Sequence, residues 1–336
     1  MEVSARIARL PLAETFRIAR ETTDEAGVVQ VEIRHGDVVG YGEAAPLERY
    51  EQTPESALAY VERNADALGD DPWALDAIHG RLPAGEPAAR SALDAALHDL
   101  CAKLADVPLW KLLGLESNGP PTSWTIGIGD PDEMARKAER DAPRFRRLKL
   151  KLGAGDGLDV DRVRAVRGVT TLPLQVDANE GWSFDEALES LPQLAALDVQ
   201  YCEQPLPAGD PGGTELKRSS PLPIYVDEDC HTLDDVADCA RIAHGLTIKL
   251  AKSGGIREAI RMAHAGRALG MELMLGCMVE SGLGIAPGAH IASLFDHVDL
   301  DGNLLIREDP WPGIELVEGV QTPSPSTPGL GVSADG

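Results

Sequence analysis

Basic side chains alternate with leucines in segment 147–152, which reads Arg-Leu-Lys-Leu-Lys-Leu. Strand side chains alternate faces with a period of two, so Lys149 and Lys151 should share one face and the leucines the other. One interpretation is an edge strand whose lysines face water and discourage aggregation. The other places the lysines in an interior site as acid/base groups. The residues that follow favour the second interpretation.

Three acidic residues, Asp177, Glu203 and Asp227, each end a short β-rich run further along the chain. If those runs are neighbouring parallel strands, the carboxylates meet at one edge of the sheet. Left unpaired there, they would repel one another and resist burial, at a cost of several kcal/mol each. A hard divalent cation resolves this repulsion, and oxygen ligands from separate elements suit Mg²⁺.

Another lysine, Lys249, lies at the end of the next run, with Lys252 three residues beyond it. The flanking lysines should therefore face each other across the carboxylates, with room for a substrate between them. A cation nearby can lower the pKa of a lysine and make its neutral amine a base. Each residue alone is equally explained as a solvated loop charge or a structural ion pair. The joint pattern, in strand order, favours an active site.

The elements that would hold these side chains repeat along the second part of the chain. Short β-rich runs alternate with helical stretches at a spacing of about 23 to 26 residues. Eight strands at such a period predict an α/β fold of the (β/α) barrel type. A doubly wound sheet would carry a glycine-rich phosphate loop after its first strand, and Gly127-Ile128-Gly129 is too weak a match. The runs begin at Trp124, Arg147, Pro173, Val199, Pro223, Leu246, Glu272 and His297.

The first part of the chain has a different pattern, typical of an antiparallel sheet with a helical layer. A proline-rich tail from Asn303 shows no evident helix and is expected to run back over the N-terminal domain. We therefore predict a domain of residues 1–120, completed by residues 304–336, and a barrel domain of residues 121–303. The elements predicted before the barrel are strands at 28–33 and 38–43 and helices at 54–68 and 88–104.

Composition narrows the possible partners and location. The 336 residues are 43% hydrophobic and 26% charged, ordinary values for a soluble globular protein. The net charge of −24 makes nucleic acid and anionic membranes poor partners. No apolar run reaches membrane-spanning length and the start lacks a signal-peptide layout, so we expect a cytoplasmic protein. Five scattered cysteines, never spaced as CxxC, argue against a disulfide framework and a thiolate metal site.

Several motifs resemble those of the enolase superfamily, in its muconate-lactonizing-enzyme subgroup. They are LKLKLG, VDANEGW, EQP, DED and IKLAKSGGI in the predicted barrel, with GEAAPLERY, SALDAALHDLCAKLADVPLWKLLG and PGLGV outside it. The resemblance implies a (β/α)₇β modified TIM barrel under an α+β capping domain, which the N- and C-terminal segments form together.

The resemblance also implies roles for six residues. Asp177, Glu203 and Asp227 would bind Mg²⁺. Lys151 and Lys249 would be the two acid/base groups, with Lys149 modulating Lys151. Strand phase agrees for Lys249, whereas Lys252 lies beyond its strand and receives no chemical role.

An aspartate pair near the end of the barrel distinguishes members of the subgroup. Asp299 and Asp301 resemble the DxD motif of dipeptide epimerases, in which two aspartates hold the α-ammonium of the substrate. An ammonium offers three donors and needs acidic acceptors. The alternative is that the pair only balances the active-site lysines. We also expect Arg20, in a capping loop, and Met278 and Ser281, after the seventh strand, to contact the substrate.

The resemblance implies a Mg²⁺-dependent dipeptide epimerase, an isomerase. It would carry out a 1,1-proton transfer at the α-carbon of the C-terminal residue through an enediolate intermediate. An N-acylamino acid racemase, an o-succinylbenzoate synthase or a muconate cycloisomerase would use the same lysines and metal without the aspartate pair. A more remote alternative is a non-catalytic metal-binding barrel. The expected partner is a small-molecule dipeptide, and a homo-oligomer is left open.

Overall fold

The computed structural model describes residues 1–334, which begin with a three-stranded antiparallel sheet. Its strands are β1 (Glu2–Arg17), β2 (Thr22–His35) and β3 (Val38–Ala44). The structure confirms the predicted hairpin β2–β3. Strand β1 was not predicted, because most of its side chains remain at least partly exposed and little hydrophobic alternation marks it.

Strand β3 lies directly on the backbone of a long buried helix, α3 (Pro87–Leu104). Glycines permit this approach. A Cβ atom built on Gly42 would lie 2.1 Å from the main-chain oxygen of Ala92, and one on Gly40 would lie 2.1 Å from that of Ala96. The close contact fixes the sheet against the helical layer that the sequence predicted.

Replacing Gly42 by alanine should destabilise the protein by about 3 kcal/mol, because the added methyl group overpacks a contact formed by helix backbone. Urea unfolding monitored by circular dichroism measures the change. Gly80→Ala is the matched control, since a Cβ there meets nothing within 4 Å. An equal stability for both variants would contradict this account of the contact.

The longest helix is α3, and the other helices described in residues 1–334 are shorter. No helix in residues 1–334 is long and apolar enough to cross a membrane. Before the barrel lie α1 (Pro54–Asn64), α2 (Leu75–Arg81), α3 and α4 (Leu109–Leu112). Around and after it lie α5 (Pro131–Asp141), α6 (Asp159–Arg167), α7 (Phe184–Ala196), α8 (Gly213–Ser219), α9 (Val236–Ile242), α10 (Leu250–Ser253), α11 (Ile256–Ala268), α12 (Gly282–Ile291) and α13 (Gly302–Leu305).

Eight parallel strands form the barrel sheet, in chain order across the sheet. A parallel bridge between Thr122 and Val298 joins its two ends, so the sheet is nearly closed. The structure confirms the barrel and its period. The strands are β4 (Trp124–Ile126), β5 (Leu148–Lys151), β6 (Leu174–Asp177), β7 (Val199–Glu203), β8 (Ile224–Val226), β9 (Gly245–Lys249), β10 (Glu272–Gly276) and β11 (His297–Asp299).

Strand β5 is an interior strand, paired with β4 and β6, so the edge-strand interpretation is wrong. Leu148 and Leu150 are fully buried in the cluster between the sheet and its helices. Lys149 and Lys151 are also buried, on the opposite face of the strand. Side chains alternate between the two faces of a barrel strand, so the face of β5 that carries the lysines points into the nearly closed barrel.

The C-terminal tail contacts both parts of the chain. It adds the short helix α13 and a hairpin of β12 (Glu315–Val317) and β13 (Val320–Thr322), neither of which was predicted. In the part before the barrel, the main chain of Arg307 donates to Pro11, and that of Leu330 donates to the carboxylate of Asp99 on α3. At the barrel, the main-chain nitrogen of Thr122 donates to the main-chain oxygen of Gly319 in the tail. The predicted domain boundaries stay a prediction.

Candidate active site

The predicted carboxylates lie at the carboxyl ends of three adjacent strands. Asp177 ends β6, Glu203 ends β7 and Asp227 directly follows β8. The strand register pairs Lys151 with Asp177 and Asp177 with Glu203, so these residues lie side by side. All three carboxylates are at most 1% exposed. The structure therefore brings together the acidic residues that the sequence singled out.

The two lysines of β5 lie at different depths beside these carboxylates. Lys151 is the outer one, and its Nζ donates to Asp177 Oδ2 at 2.6 Å. Lys149 is 1% exposed, with its Nζ 2.6 Å from Glu203 Oε2 and 2.8 Å from Asp299 Oδ2. This is the layered arrangement expected for an outer acid/base group and an inner residue that tunes it.

Lys249 lies on the other side of the carboxylates, at the end of β9. Its Nζ donates to Asp227 Oδ2 at 2.8 Å. Strands β6, β7 and β8 separate Lys249 from Lys151 in the sheet. The two outer lysines therefore flank the acidic cluster from opposite sides, as the sequence pattern predicted.

The electrostatic balance of the cluster is uneven. Burial works against ionisation of Asp177, but Lys151 and Lys149 lower its pKa to about 2. The pKa of Asp227 is lowered as well, because Lys249 and Lys252 outweigh its burial. Burial and the charge of Asp177 raise the pKa of Glu203 to about 7. Glu203 is thus the carboxylate that the lysines of the site compensate least.

Lys149 and Lys249 do not have the lowered pKa that a base requires. Burial by itself would lower the pKa of Lys249, but the charges of Asp227 and Glu203 raise it above its ordinary value. Asp299, Glu203 and Asp177 have the same net effect on the pKa of Lys149. A lysine here becomes a base only when another cation takes over the charge of the carboxylates.

The carboxylates have capacity for such a cation. Oε1 of Glu203 is buried without a hydrogen-bond or ion-pair partner among the described residues. Oε2 of Glu203 and Oδ1 of Asp227 contact only lysine ammonium groups, at 2.6 and 2.5 Å. Lysine ammonium groups lie between the carboxylates, and no three acidic, histidine or cysteine side chains within residues 1–334 converge as a ready metal site. The donors are nevertheless hard oxygens from three strands, and this chemistry fits Mg²⁺.

Comparison with known families covers both parts of the chain. Residues 1–114 match the mandelate racemase / muconate lactonizing enzyme N-terminal domain, and residues 133–336 match the enolase C-terminal domain-like family. The chain belongs to the enolase superfamily. The family match confirms the resemblance that the strand-end motifs indicated.

Individual enolase-superfamily relatives are similar over nearly the whole chain. An L-Ala-D/L-Glu epimerase of Bacteroides thetaiotaomicron is 37% identical, over 96% of this chain and 85% of the relative. The crystal structure of a dipeptide epimerase of Enterococcus faecalis, complexed with Mg and the dipeptide L-Leu-L-Tyr, gives a TM-score of 0.94 at 32% identity, covering 98% of each chain. An N-succinyl Arg/Lys racemase of Bacillus cereus also gives a TM-score of 0.94, at 28% identity, covering 100% of this chain and 96% of the racemase.

The aspartate pair lies beside the inner lysine of this enolase-superfamily site. Asp299 accepts hydrogen bonds from Lys149 and, at 3.3 Å, from Thr125 Oγ1. Asp301 accepts one from the main-chain nitrogen of Thr125 at 2.7 Å. Burial and the charge of Asp299 raise the pKa of Asp301 to about 7. Lys149 therefore balances Asp299 directly, whereas Asp301 still lacks a cationic partner within residues 1–334.

Arg20 links the capping loop to the barrel. Its guanidinium lies 2.8 Å from Glu228 Oε1 and 3.4 Å from Glu180 Oε2, and it donates to the main-chain oxygen of Asn179 at 3.1 Å. Arg49, from a second loop before the barrel, also contacts Glu180, at 2.9 Å. The positive charge of Arg20 is thus paired with the carboxylates of Glu180 and Glu228. Its predicted contact with the substrate side chain stays a prediction.

Ser281 is fully buried at the start of α12 and contacts the first domain. Its hydroxyl donates to Glu43 Oε2 at 2.5 Å and accepts from the main-chain nitrogen of Leu283. These contacts give the hydroxyl a structural task, and its predicted substrate contact stays a prediction. Met278 is partly buried and packs against the core of the first domain, close to Ala45 and Ile306.

Two buried acids meet where β3 approaches the loop after β10. Oxygens of Glu43 and Glu280 both come within 3.0 Å of the position that a Cβ atom on Gly284 would take. Burial raises the pKa of Glu43 to about 7, although Ser281 stabilises its ionised form. Burial and the charge of Glu43 raise the pKa of Glu280 to about 8, against the opposing charge of Lys249.

Glu280→Gln should therefore change how stability depends on pH. The pKa of Glu280 rises from 4.5 to about 8 on folding. The contribution of this group to the free energy of unfolding is therefore fully present below pH 4.5 and is lost as the pH rises through about 8. Glutamine removes that loss, so the variant should melt about 5 °C higher than wild type at pH 9. The two should be nearly equal at pH 5. Glu308→Gln, at an exposed site, is the control, and a pH-independent difference would contradict the prediction.

Sequence reasoning missed residues that hold the strand-end loops in place. Gln204 follows Glu203, and its Oε1 accepts from the main-chain nitrogens of Asp227 and Glu228 at 2.8 and 3.0 Å. Glu228 receives Arg20, and its Oε2 is buried without a hydrogen-bond partner in the described part of the chain. Gln204 and Glu228 each directly follow a strand-end acid, and this position is the one sequence feature that could have indicated their importance. Which loops they join depends on the fold.

Proposed function

We propose that this chain is a Mg²⁺-dependent dipeptide epimerase, an isomerase that inverts the α-carbon of the C-terminal residue of a dipeptide by 1,1-proton transfer. The observation that carries the proposal is the placement of Lys151 and Lys249 on opposite sides of three buried carboxylates. One acid/base group on each side of a carbon can remove a proton from one face and return a proton to the other. A metal site alone would require neither.

Asp177, Glu203 and Asp227 would hold the magnesium ion. When bound, it would supply positive charge for the substrate carboxylate, which makes the weakly acidic α-proton easier to remove. The buried and unpartnered Oε1 of Glu203 supports this assignment.

The lysines would move the proton. One of Lys151 and Lys249 takes it from the α-carbon as a neutral amine, and the other, as an ammonium, donates a proton to the opposite face. Lys149, with Glu203 2.6 Å and Asp177 3.3 Å from its Nζ, would keep a positive charge beneath the reacting carbon. The reverse reaction exchanges the roles of the two outer lysines.

The aspartate pair supports a dipeptide rather than an N-acyl amino acid. The ammonium of a dipeptide would supply the cation that Asp301 lacks, while Asp299 is shared with Lys149. The Bacillus cereus racemase has the same overall fold, so the fold does not discriminate between the two substrate classes. The acidic pair is therefore the residue set on which the choice depends.

Location and assembly are further parts of the proposal. All five cysteines are unpaired, as is usual in a reducing compartment, and this supports the expected cytoplasmic location. A homo-oligomer is compatible with the superfamily assignment, and analytical ultracentrifugation would measure it.

The deciding experiment is incubation of the Mg²⁺-loaded protein in D₂O with a dipeptide panel and with N-acyl amino acids. Mass spectrometry would measure deuterium incorporation, and chiral chromatography would measure inversion. We expect both for dipeptides, and a loss of about 10²-fold with Asp301→Asn, whose amide is a weaker acceptor for an ammonium. Faster turnover of N-acyl amino acids would favour the racemase, and no exchange with any substrate would favour a non-catalytic barrel.

A further inference from the structure

Lys252 is a buried cation beyond the two acid/base lysines. It lies on α10, the single turn that follows β9, and it is 1% exposed. An ammonium group taken out of water costs several kcal/mol unless oxygens replace its hydration. A lysine this deeply buried must therefore have a specific set of partners.

Those partners belong to the loop that carries Asp227. The Nζ of Lys252 lies 2.5 Å from Asp227 Oδ1 and donates to the main-chain oxygen of Cys230 at 2.8 Å. It also donates to the main-chain oxygen of Asp227. One ammonium thus contacts both the carboxylate and the backbone of the same residue, and the turn that follows it.

The other oxygen of Asp227 belongs to Lys249. Its Nζ donates to Asp227 Oδ2 at 2.8 Å, and its side chain is 11% exposed. The Asp227 carboxylate is therefore held between two lysines, one at each oxygen. The buried lysine is enclosed on the inner side, and the more exposed lysine is the acid/base candidate.

We propose that Lys252 is a positioning residue that fixes the orientation of the Asp227 carboxylate for Mg²⁺ and for Lys249. This inference rests on the proposed function, because it takes Asp227 as a metal ligand. Lys252 acts through Asp227 and does not itself transfer a proton. Its contacts restrict rotation of the carboxylate, and its hydrogen bonds to two main-chain oxygens hold the turn after β8.

Two effects of removing Lys252 have opposite signs for metal affinity. If the lysine only compensates charge, its removal takes a positive charge away from Mg²⁺ and binding becomes tighter. If it positions Asp227, its removal leaves a ligand that must be ordered on binding, and binding becomes weaker. Loss of a residue that orients a metal ligand usually costs about 10–100-fold in affinity. The sign of the change therefore distinguishes the two roles.

The experiment is calorimetric titration of Mg²⁺ into wild type, Lys252→Met, Lys252→Arg and Lys217→Met. We expect Lys252→Met to bind Mg²⁺ about 10–100-fold more weakly, and Lys252→Arg to restore most of the affinity. Lys217 is the matched control, because its Nζ also donates to a main-chain oxygen, that of Ala240, but contacts no carboxylate. Its replacement should leave the affinity unchanged.

Other outcomes overturn specific claims. Unchanged or tighter Mg²⁺ binding by a folded Lys252→Met variant overturns the positioning role and leaves the proposed function intact. No Mg²⁺ binding by wild type overturns the proposed function instead. Thermal melting establishes that the variants are folded. If Lys252→Met does not fold, Lys252→Gln replaces it, since its amide can still donate to the main-chain oxygens. Failure of both to fold makes Lys252 a folding residue and overturns the inference.

Discussion

Replacement of either Lys151 or Lys249 by alanine should lower the rate of epimerisation by roughly 10²–10⁴-fold, the usual contribution of a positioned acid/base group. Each lysine contacts a different carboxylate, Asp177 or Asp227, on a different side of the cluster. Inversion needs both lysines, so loss of either one should have an effect of similar size.

The two variants should differ in hydrogen exchange. In D₂O, the lysine that remains can still take the α-proton from its own face and return a deuteron there without inversion. Lys151→Ala should therefore retain exchange with one epimer of the dipeptide, and Lys249→Ala with the other. Mass spectrometry of each pure epimer, at saturating Mg²⁺, measures this selectivity.

Lys217→Ala provides the control, since its Nζ binds the main-chain oxygen of Ala240 away from the site. It should keep wild-type epimerisation. Exchange of both epimers by either lysine variant would show that a single base serves both faces, and the two-lysine assignment would then be wrong.

Replacement of Glu203 by glutamine should weaken Mg²⁺ binding by at least about 10²-fold and abolish measurable epimerisation. Glu203 is fully buried; its Oε2 lies 2.6 Å from Lys149 Nζ, and its Oε1 has no hydrogen-bond or ion-pair partner among residues 1–334. An amide preserves the shape of the side chain but removes the charge that a hard cation needs. Calorimetric titration of Mg²⁺ and the dipeptide assay measure the two effects.

The same substitution should have opposite effects on stability in the two metal states. In EDTA, Glu203→Gln should melt higher than wild type at pH 8, because it removes a buried and poorly compensated carboxylate. With Mg²⁺ at about 100 times its Kd, wild type should gain about 2.7 kcal/mol and the variant almost nothing. Glu215→Gln, at an exposed position, should behave like wild type in both conditions. The absence of this crossover would contradict the assignment of Glu203 as a ligand.

The fold was largely predictable because its signals are local. Eight strand starts at a near-constant spacing were visible in the sequence, and the observed strands begin within a residue or so of those positions. The prediction failed for β1 and the tail hairpin β12–β13. Most side chains there stay partly exposed, so the alternation of apolar residues is weak. The buried helix α3, by contrast, was predicted to within one residue at its start.

The candidate site was predictable where residue type and strand end coincide. Asp177, Glu203, Lys151 and Lys249 were singled out because parallel strands present their last residues at one edge of the barrel. Lys252 received no role, because it lies beyond the strand. Strand phase therefore does not predict where its long, flexible side chain places the ammonium group. Only the packing of α10 beside the loop after β8 shows that it reaches Asp227.

The sequence by itself determined the barrel, the acidic strand ends and the flanking lysines, since period and strand phase depend on neighbouring residues alone. Tertiary structure decided which charges are paired. Lys149 with Asp299, Arg20 with Glu228 and Glu43 beside Glu280 join residues that are 150 or more positions apart. Such pairs form only when separate elements pack together, and burial then makes each charge depend on its partner. As a result, the charges of the strand-end residues are electrostatically coupled to one another in the folded protein.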